Sequence, residues 1–248
     1  MTFDLNCDLG ELEDAALEAS LMEHITSANI ACGGHAGDDA TMERTIRLAL
    51  DRGVKIGAHP GYPDRANFGR VEIAMSEDEI EDMVAWQIGR LAAVAELLGA
   101  TIVHVKPHGA LYNVAVRNQA VARAIGAAVL QWNPQGRDGL AGGIRIGPEN
   151  RGACPTLFGL AGSSMLDVWR GMGLRVAAEG FADRRYEADG TLRSRQLPEA
   201  LITDPAAAAA QAVRLASEGG VETICVHGDT PGAANILQAC RRALQSCG

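Results

Sequence analysis

Short apolar runs alternate along the chain with longer stretches of helical periodicity. The runs at 3–9, 28–32, 54–58, 101–106, 154–160, 174–180 and 222–227 have the length and composition of buried strands. Between them, 12–25, 38–52, 76–98, 115–132, 163–172, 204–218 and 231–246 read as helices; Leu17, Leu21 and Ile25, for example, fall on one face. The end signals agree with this division. Asp38 or Asp39 is placed to cap the second helix, and Gly53 to stop it. Ser76 and Glu79 form a capping-box pair, Gly99 closes that helix, and Asp204-Pro205 opens another. The stretch 133–150 holds Pro134, Gly136, Gly139, Gly142, Gly143, Gly147 and Pro148, which predicts a loop with a short strand at 143–146.

Strict strand–helix alternation predicts a parallel sheet with crossover helices. Seven or eight units without a break favour a closed barrel over an open doubly wound sheet. The expected fold is α/β: a TIM-like (β/α)7 barrel of parallel strands with surrounding helices, a single domain spanning 1–248. No shift of composition marks a boundary, and no internal repeat is present.

Composition narrows the function classes. The net charge of -9 repels a polyanion, and no Lys/Arg block offsets it, so nucleic acid is not an expected partner. No uncharged apolar stretch reaches the ~18 residues of a membrane span. The opening MTFDLNCDLGE is charged by residue 4 and shows no signal peptide, which predicts a cytoplasmic protein with reduced thiols. The six Cys form no CxxC pair; Cys7, Cys32 and Cys225 lie in or beside apolar runs and are expected to pack as small hydrophobes. All but two of the 22 basic residues are Arg, which draws notice to Lys55 and Lys106. Lys55, early in the third strand, is expected in solvent at the barrel bottom.

A parallel barrel builds its active site from the loops at the C-terminal strand ends. Asp8 and Glu11 follow the first predicted strand, and Gly33-Gly34-His35 follows the second. His59 to Asp64 follows the third, Lys106-Pro107-His108 ends the fourth, and Glu179, Asp183, Arg184 and Tyr186 follow the sixth. His227-Gly228-Asp229 ends the seventh. Four of the six His and all three Tyr fall at this rim; the opposite strand ends carry nothing comparable. For Asp38 and Asp229 an N-cap is the structural alternative. His104 shares a face with Lys106 and His108, as a supporting or a packed core residue. No GxxxxGK[ST] loop, GxGxxG turn or GxSxG elbow occurs.

The blocks Asp4 to Glu11, Ser27 to Asp38, Gly57 to Asp64, Phe68-Gly69-Arg70, Val105 to Asn113, Glu179 to Arg184 with Tyr186, and Val226 to Gly232 together resemble the 5-oxoprolinase A-subunit family, also called LamB/YcsF. They run in order through the whole chain. Leu12-Glu13-Asp14-Ala15 and Gly33-Gly34-His35 depart from the family pattern, both in rim loops, and the segment before the seventh strand is shorter. The resemblance implies a seven-stranded barrel of the glycoside hydrolase/deacetylase superfamily. It implies one part of a three-part, ATP-dependent 5-oxoprolinase that opens 5-oxo-L-proline to L-glutamate with two further subunits. ATP would then be handled by one of those partners.

That chemistry needs a proton acceptor, a donor for developing negative charge and a clamp for the substrate carboxylate. Asp8 or Glu11 with His35 is the expected acid/base group, Lys106 and His108 face the oxyanion or phosphate, and Arg184 clamps the carboxylate. Asn29, His59, Tyr62, Tyr112, His227 and Asp229 are expected to contact substrate. The superfamily's deacetylases hold a divalent metal on an Asp and two His, a set that Asp8, His35 and His59 could imitate. Two rival readings are a stand-alone metal-dependent amidase or deacetylase of carbohydrate or peptide amides, and a non-catalytic small-molecule-binding subunit. Self-association is left open by the sequence.

Overall fold

The computed structural model describes residues 3–132 and 154–246. Seven parallel strands close into a barrel in chain order: β1 (Asp4–Leu9), β2 (Ser27–Ala31), β3 (Lys55–His59), β4 (Ile102–Val105), β5 (Thr156–Leu160), β6 (Val176–Phe181) and β7 (Thr223–Val226). β7 pairs with β1 to complete the ring, with Asn6 opposite Cys225 on one side and Ser27 on the other. Eight α-helices surround it among the described residues: α1 (Ala15–Met22), α2 (Asp39–Arg52), α3 (Glu77–Leu97), α4 (Gly109–Arg117), α5 (Gln119–Leu130), α6 (Ser164–Gly171), α7 (Pro205–Glu218) and α8 (Ala233–Ser246). The predicted loop at 133–150 and strand at 143–146 lie outside the described residues.

The capping chemistry read from the sequence forms. Asp38 accepts from the Thr41 amide at the start of α2, and Gly53 ends it in the left-handed conformation. Ser76 and Glu79 make both bonds of the capping box. The predicted 115–132 helix is instead two helices, and the first begins already at Gly109. Asn118 is the cause of the break: its backbone is extended, and its side chain caps α5 through the Ala120 amide. The helix predicted from residue 12 starts at Ala15, where Asp14 caps it through Ala16 and Leu17.

Strand parity makes the barrel interior polar. Leu5, Cys7 and Leu9 join the hydrophobic core, so Asp4, Asn6 and Asp8 point the other way, into the barrel. They form three tiers. At the lower end Asp4 accepts from Thr26, Ser27 and Thr223 and pairs with exposed Lys55 at 3.3 Å. Lys55 is exposed at this end, as its place early in the third strand led one to expect. In the middle tier the Asn6 amide donates to Glu179 and Thr223, and Asn29 donates to the Asn6 carbonyl oxygen. The upper tier begins at Asp8. A register shift between Ile56 and Gly57 accompanies a close approach: a side chain at Gly57 would stand 2.0 Å from the His104 ring.

Candidate active site

Lys106, just past the end of β4, places its ammonium between two buried carboxylates, 2.9 Å from Asp8 and 3.0 Å from Glu179. Burial alone would lower its pKa, but Asp8, Cys225 and Glu179 outweigh it and hold the amine charged. Asp8 is likewise kept ionised against burial by His59 and Lys106. Its Oδ1 also accepts from the Asn29 amide at 2.8 Å. The Cys225 thiol lies 3.0 Å from the same ammonium; burial pushes its pKa up, so it stays a neutral thiol. Cys225 thus belongs to the polar interior, not to apolar packing alone.

Asn29 fixes the orientation of its neighbours. Its amide nitrogen donates to Asn6 and Asp8, so its carbonyl oxygen must accept, and the donor is His104 Nε2 at 2.8 Å. Burial lowers the pKa of His104 to about 3, which makes it a neutral positioning group stacked on Phe158. Of the two roles considered for His104, the geometry thus supplies the supporting one.

Beside the Asp8–Lys106 pair, Glu11, His35, His59 and His108 converge from the ends of β1 to β4. Glu11 Oε1 stands 2.9 Å from His35 Nε2, 3.0 Å from His108 Nδ1 and 3.5 Å from His59 Nε2. His59 Nδ1 donates to the Lys106 carbonyl at 2.7 Å, and His108 Nε2 donates to the Phe68 carbonyl at 2.8 Å. Glu11 is held ionised against burial, chiefly by His108 and His35. Burial, with the charge of His108, brings His35 down to about 4. Gly69, at φ 63°, makes the packing feasible: a side chain there would stand 2.7 Å from His35 Cβ and 2.9 Å from His108 Cδ2.

A partly exposed layer completes the mouth. His227 Nδ1 lies 3.0 Å from Asp183 Oδ2, and that carboxylate also accepts from the His227 amide and the Thr230 hydroxyl. Nδ1 is therefore committed, and Nε2 is the ring nitrogen left for chemistry. Asp229 caps no helix here; it pairs with Arg70 and, at 3.0 Å, with Arg195. Arg184 is 6% exposed, and one arm of its guanidinium donates to the Arg193 carbonyl at 2.6 Å. Burial and then Arg195 lower its pKa to about 10.

Tyr112 Oη and Glu179 Oε2 face one another but are buried without hydrogen-bond partners among the described residues. Tyr62 is buried in the core with its hydroxyl influenced by Glu72 and Arg117, apart from the Asp8–Lys106 network. Among the described residues, two donor groups could hold a metal: Glu11, His35, His59 and His108, and Asp8, Cys225 and His227. The first differs from the Asp8–His35–His59 set read from the sequence, because Asp8 is engaged by Lys106 and Asn29 while Glu11 and His108 complete the ring of donors.

Asn6, Arg70 and Arg195 were missing from the expected site, and Glu179 and Asp183 were noted at the rim without a role. Strand parity with Asp8 was the available signal for Asn6. Arg195 lies in a stretch with no strand or helix pattern and gave none.

The LamB/YcsF family model matches residues 3–138 and 152–248. The A subunit of a 5-oxoprolinase from Chloroflexus aggregans is 46% identical over 263 residues, covering 100% of this chain and 97% of that protein. Its counterpart from Bacillus subtilis is 42% identical, covering 99% of this chain and 94% of that protein. Among solved structures, a lactam utilization protein from Thermus thermophilus matches with TM-score 0.84 and 37% identity, covering 100% of this chain and 98% of that one.

Proposed function

The chain belongs to the LamB/YcsF family, and from that premise we propose that it is the ring-opening component of a 5-oxoprolinase. Its relatives are named as A subunits, and the proposed assembly contains two further subunits. One of these uses ATP to phosphorylate the oxygen of the lactam, which makes the ring carbon electrophilic. The proposed compartment is the cytoplasm, the source of that ATP; no helix among the described residues is long and apolar enough to cross a membrane.

The carrying observation is the convergence of a buried Asp8–Lys106–Glu179 ion cluster and the Asp183–His227 pair at one mouth of the barrel. In our reading His227 Nε2 takes a proton from the attacking water while Asp183 holds the ring in the required tautomer. Lys106 offsets the negative charge of the phosphoryl group on the former lactam oxygen. The proton then passes to the ring nitrogen as the C–N bond breaks, leaving the γ-acyl phosphate of glutamate, and a second water hydrolyses that acyl phosphate to glutamate and free phosphate. Arg70 and Arg195, partly exposed around Asp229, are the cations that a substrate carboxylate meets. Arg184, committed to a backbone carbonyl, supports that layer. The Tyr112 hydroxyl, buried beside Glu179, orients that carboxylate.

A stand-alone metal-dependent amidase is the second reading, favoured by the Glu11–His35–His59–His108 donor set. One assay separates the two. Glutamate formation from 5-oxoproline is followed with and without ATP and the partner subunits. Our reading expects product only in the complete system, and losses of roughly 100-fold or more in folded Asp8→Asn and His227→Asn variants. Wild-type rates from both variants would remove the assigned roles. Amide hydrolysis by this chain alone, without ATP, would favour the second reading.

A further inference from the structure

We infer that Glu11, His35, His59 and His108 form a binding site for one divalent transition-metal ion of the zinc type. The inference is drawn from the hydrogen bonds around the cluster and does not depend on the lactam reading.

The first argument concerns tautomers. A backbone carbonyl only accepts, so His59 carries its proton on Nδ1 and His108 carries its proton on Nε2. When it carries no second proton, each ring presents a lone pair from its other nitrogen. Those two lone pairs, His59 Nε2 and His108 Nδ1, face each other at 2.9 Å. Glu11 Oε1 adds a carboxylate lone pair 3.0 Å from one and 3.5 Å from the other. Donors so placed are held together by a cation among them, either a shared proton or a metal ion.

The second argument concerns size. Zinc–nitrogen and zinc–oxygen bonds are about 2.1 Å, so donors on a tetrahedral ion stand roughly 3.4 Å apart. The observed separations to Glu11 Oε1, from 2.9 to 3.5 Å, bracket that value. All four donor atoms lie within 4.8 Å of one another. The third argument concerns support. Metal-bound histidines characteristically donate their second ring nitrogen to a carbonyl or carboxylate, as His59 and His108 do here. Three imidazoles with one carboxylate suit zinc or a neighbouring first-row ion; magnesium and calcium require oxygen ligands. Asp8, 3.5 Å from His59 Nε2, adds compensating negative charge nearby. An ion held here would polarise a carbonyl oxygen or a bound water at the barrel mouth.

The test uses the full chain, stripped with chelator and titrated with zinc chloride by calorimetry. A parallel sample is loaded with cobalt(II) and read by visible absorption. The expected result is one equivalent of zinc and the intense visible bands of tetrahedral cobalt. The His59→Asn/His108→Asn double variant should bind at least roughly 100-fold more weakly, since even supporting residues of metal sites are worth 10- to 100-fold. His24→Asn, outside the mouth, should bind like the wild type. Equal affinity in wild type and double variant would overturn the site, and so would wild-type protein lacking the cobalt bands, a result that needs no variant to fold. Stoichiometric zinc binding with no glutamate formed by the complete assembly, ATP and partner subunits included, would support the metal site and count against the lactam reading.

Discussion

Lys106 is held between Asp8 and Glu179 in the buried interior, so its removal has consequences beyond the lost attraction. Lys106→Met leaves two buried carboxylates with one cation fewer, and breaking a buried pair in this way costs about 3–5 kcal/mol. Urea unfolding should show that loss, and a Lys106→Met/Glu179→Gln double variant should recover part of it. Equal stability of wild type and the single variant would contradict the ion cluster. Asp183 gives a pH prediction at the same scale. Burial would raise its pKa, but His227 and Thr230 prevail and bring it down to about 2, below the ordinary 3.8. The folded state therefore favours the ionised form, and the stability this provides is fully present above about pH 4. It is lost as pH falls toward 2, and amounts to about 2 kcal/mol. Asp183→Asn should flatten the acid limb of unfolding free energy against pH over that window; an unchanged limb would assign it to other carboxylates. Asp8 and Lys106 could be singled out in the sequence because charged residues at strand ends are conspicuous. Glu11's three-histidine environment could not, because loop conformation rather than periodicity brings those rings together.

Strands were legible as elements because they are buried over most of their length and the residues between them follow helical spacing. The error over 115–132 has a local cause. Pro107-His108-Gly109 reads as a turn, yet α4 starts directly at Gly109, whose φ of 53° gives the bend from strand to helix. Asn118 then ends α4 and caps α5, an event that apolar periodicity does not register. Asn118→Ala removes the bond to the Ala120 amide and should lower stability by about 1 kcal/mol in thermal or urea unfolding. Because that cap lies at the junction of two outer helices, 5-oxoproline turnover by the reconstituted assembly should not change. A kinetic defect in a fully folded Asn118→Ala protein would mean that α4, and with it His108 at its N-terminus, depends on α5 for its position.

The whole barrel divides its polar interior between two ends. Asp4 ties the lower ends of β1, β2, β3 and β7 together through Thr26, Ser27, Lys55 and Thr223, on the side remote from the helix-facing core and from the mouth. Asp8, two positions along the same strand face, holds Lys106 at the other end. In parallel barrels the lower end serves stability and the upper end chemistry. The two aspartates, chemically identical, are thus a controlled comparison within one strand. Asp4→Ala strands hydroxyl donors at the barrel closure and should cost about 1–3 kcal/mol of unfolding free energy. In the reconstituted assay, at a temperature where it remains folded, its kcat should match the wild type. Asp8→Asn should do the reverse in kinetics, since it keeps the shape of the side chain but removes the charge that fixes Lys106. A comparable fall in kcat for both variants would mean that the interior tiers act as one coupled network, and the division of the barrel into a structural floor and a reactive mouth would have to be abandoned.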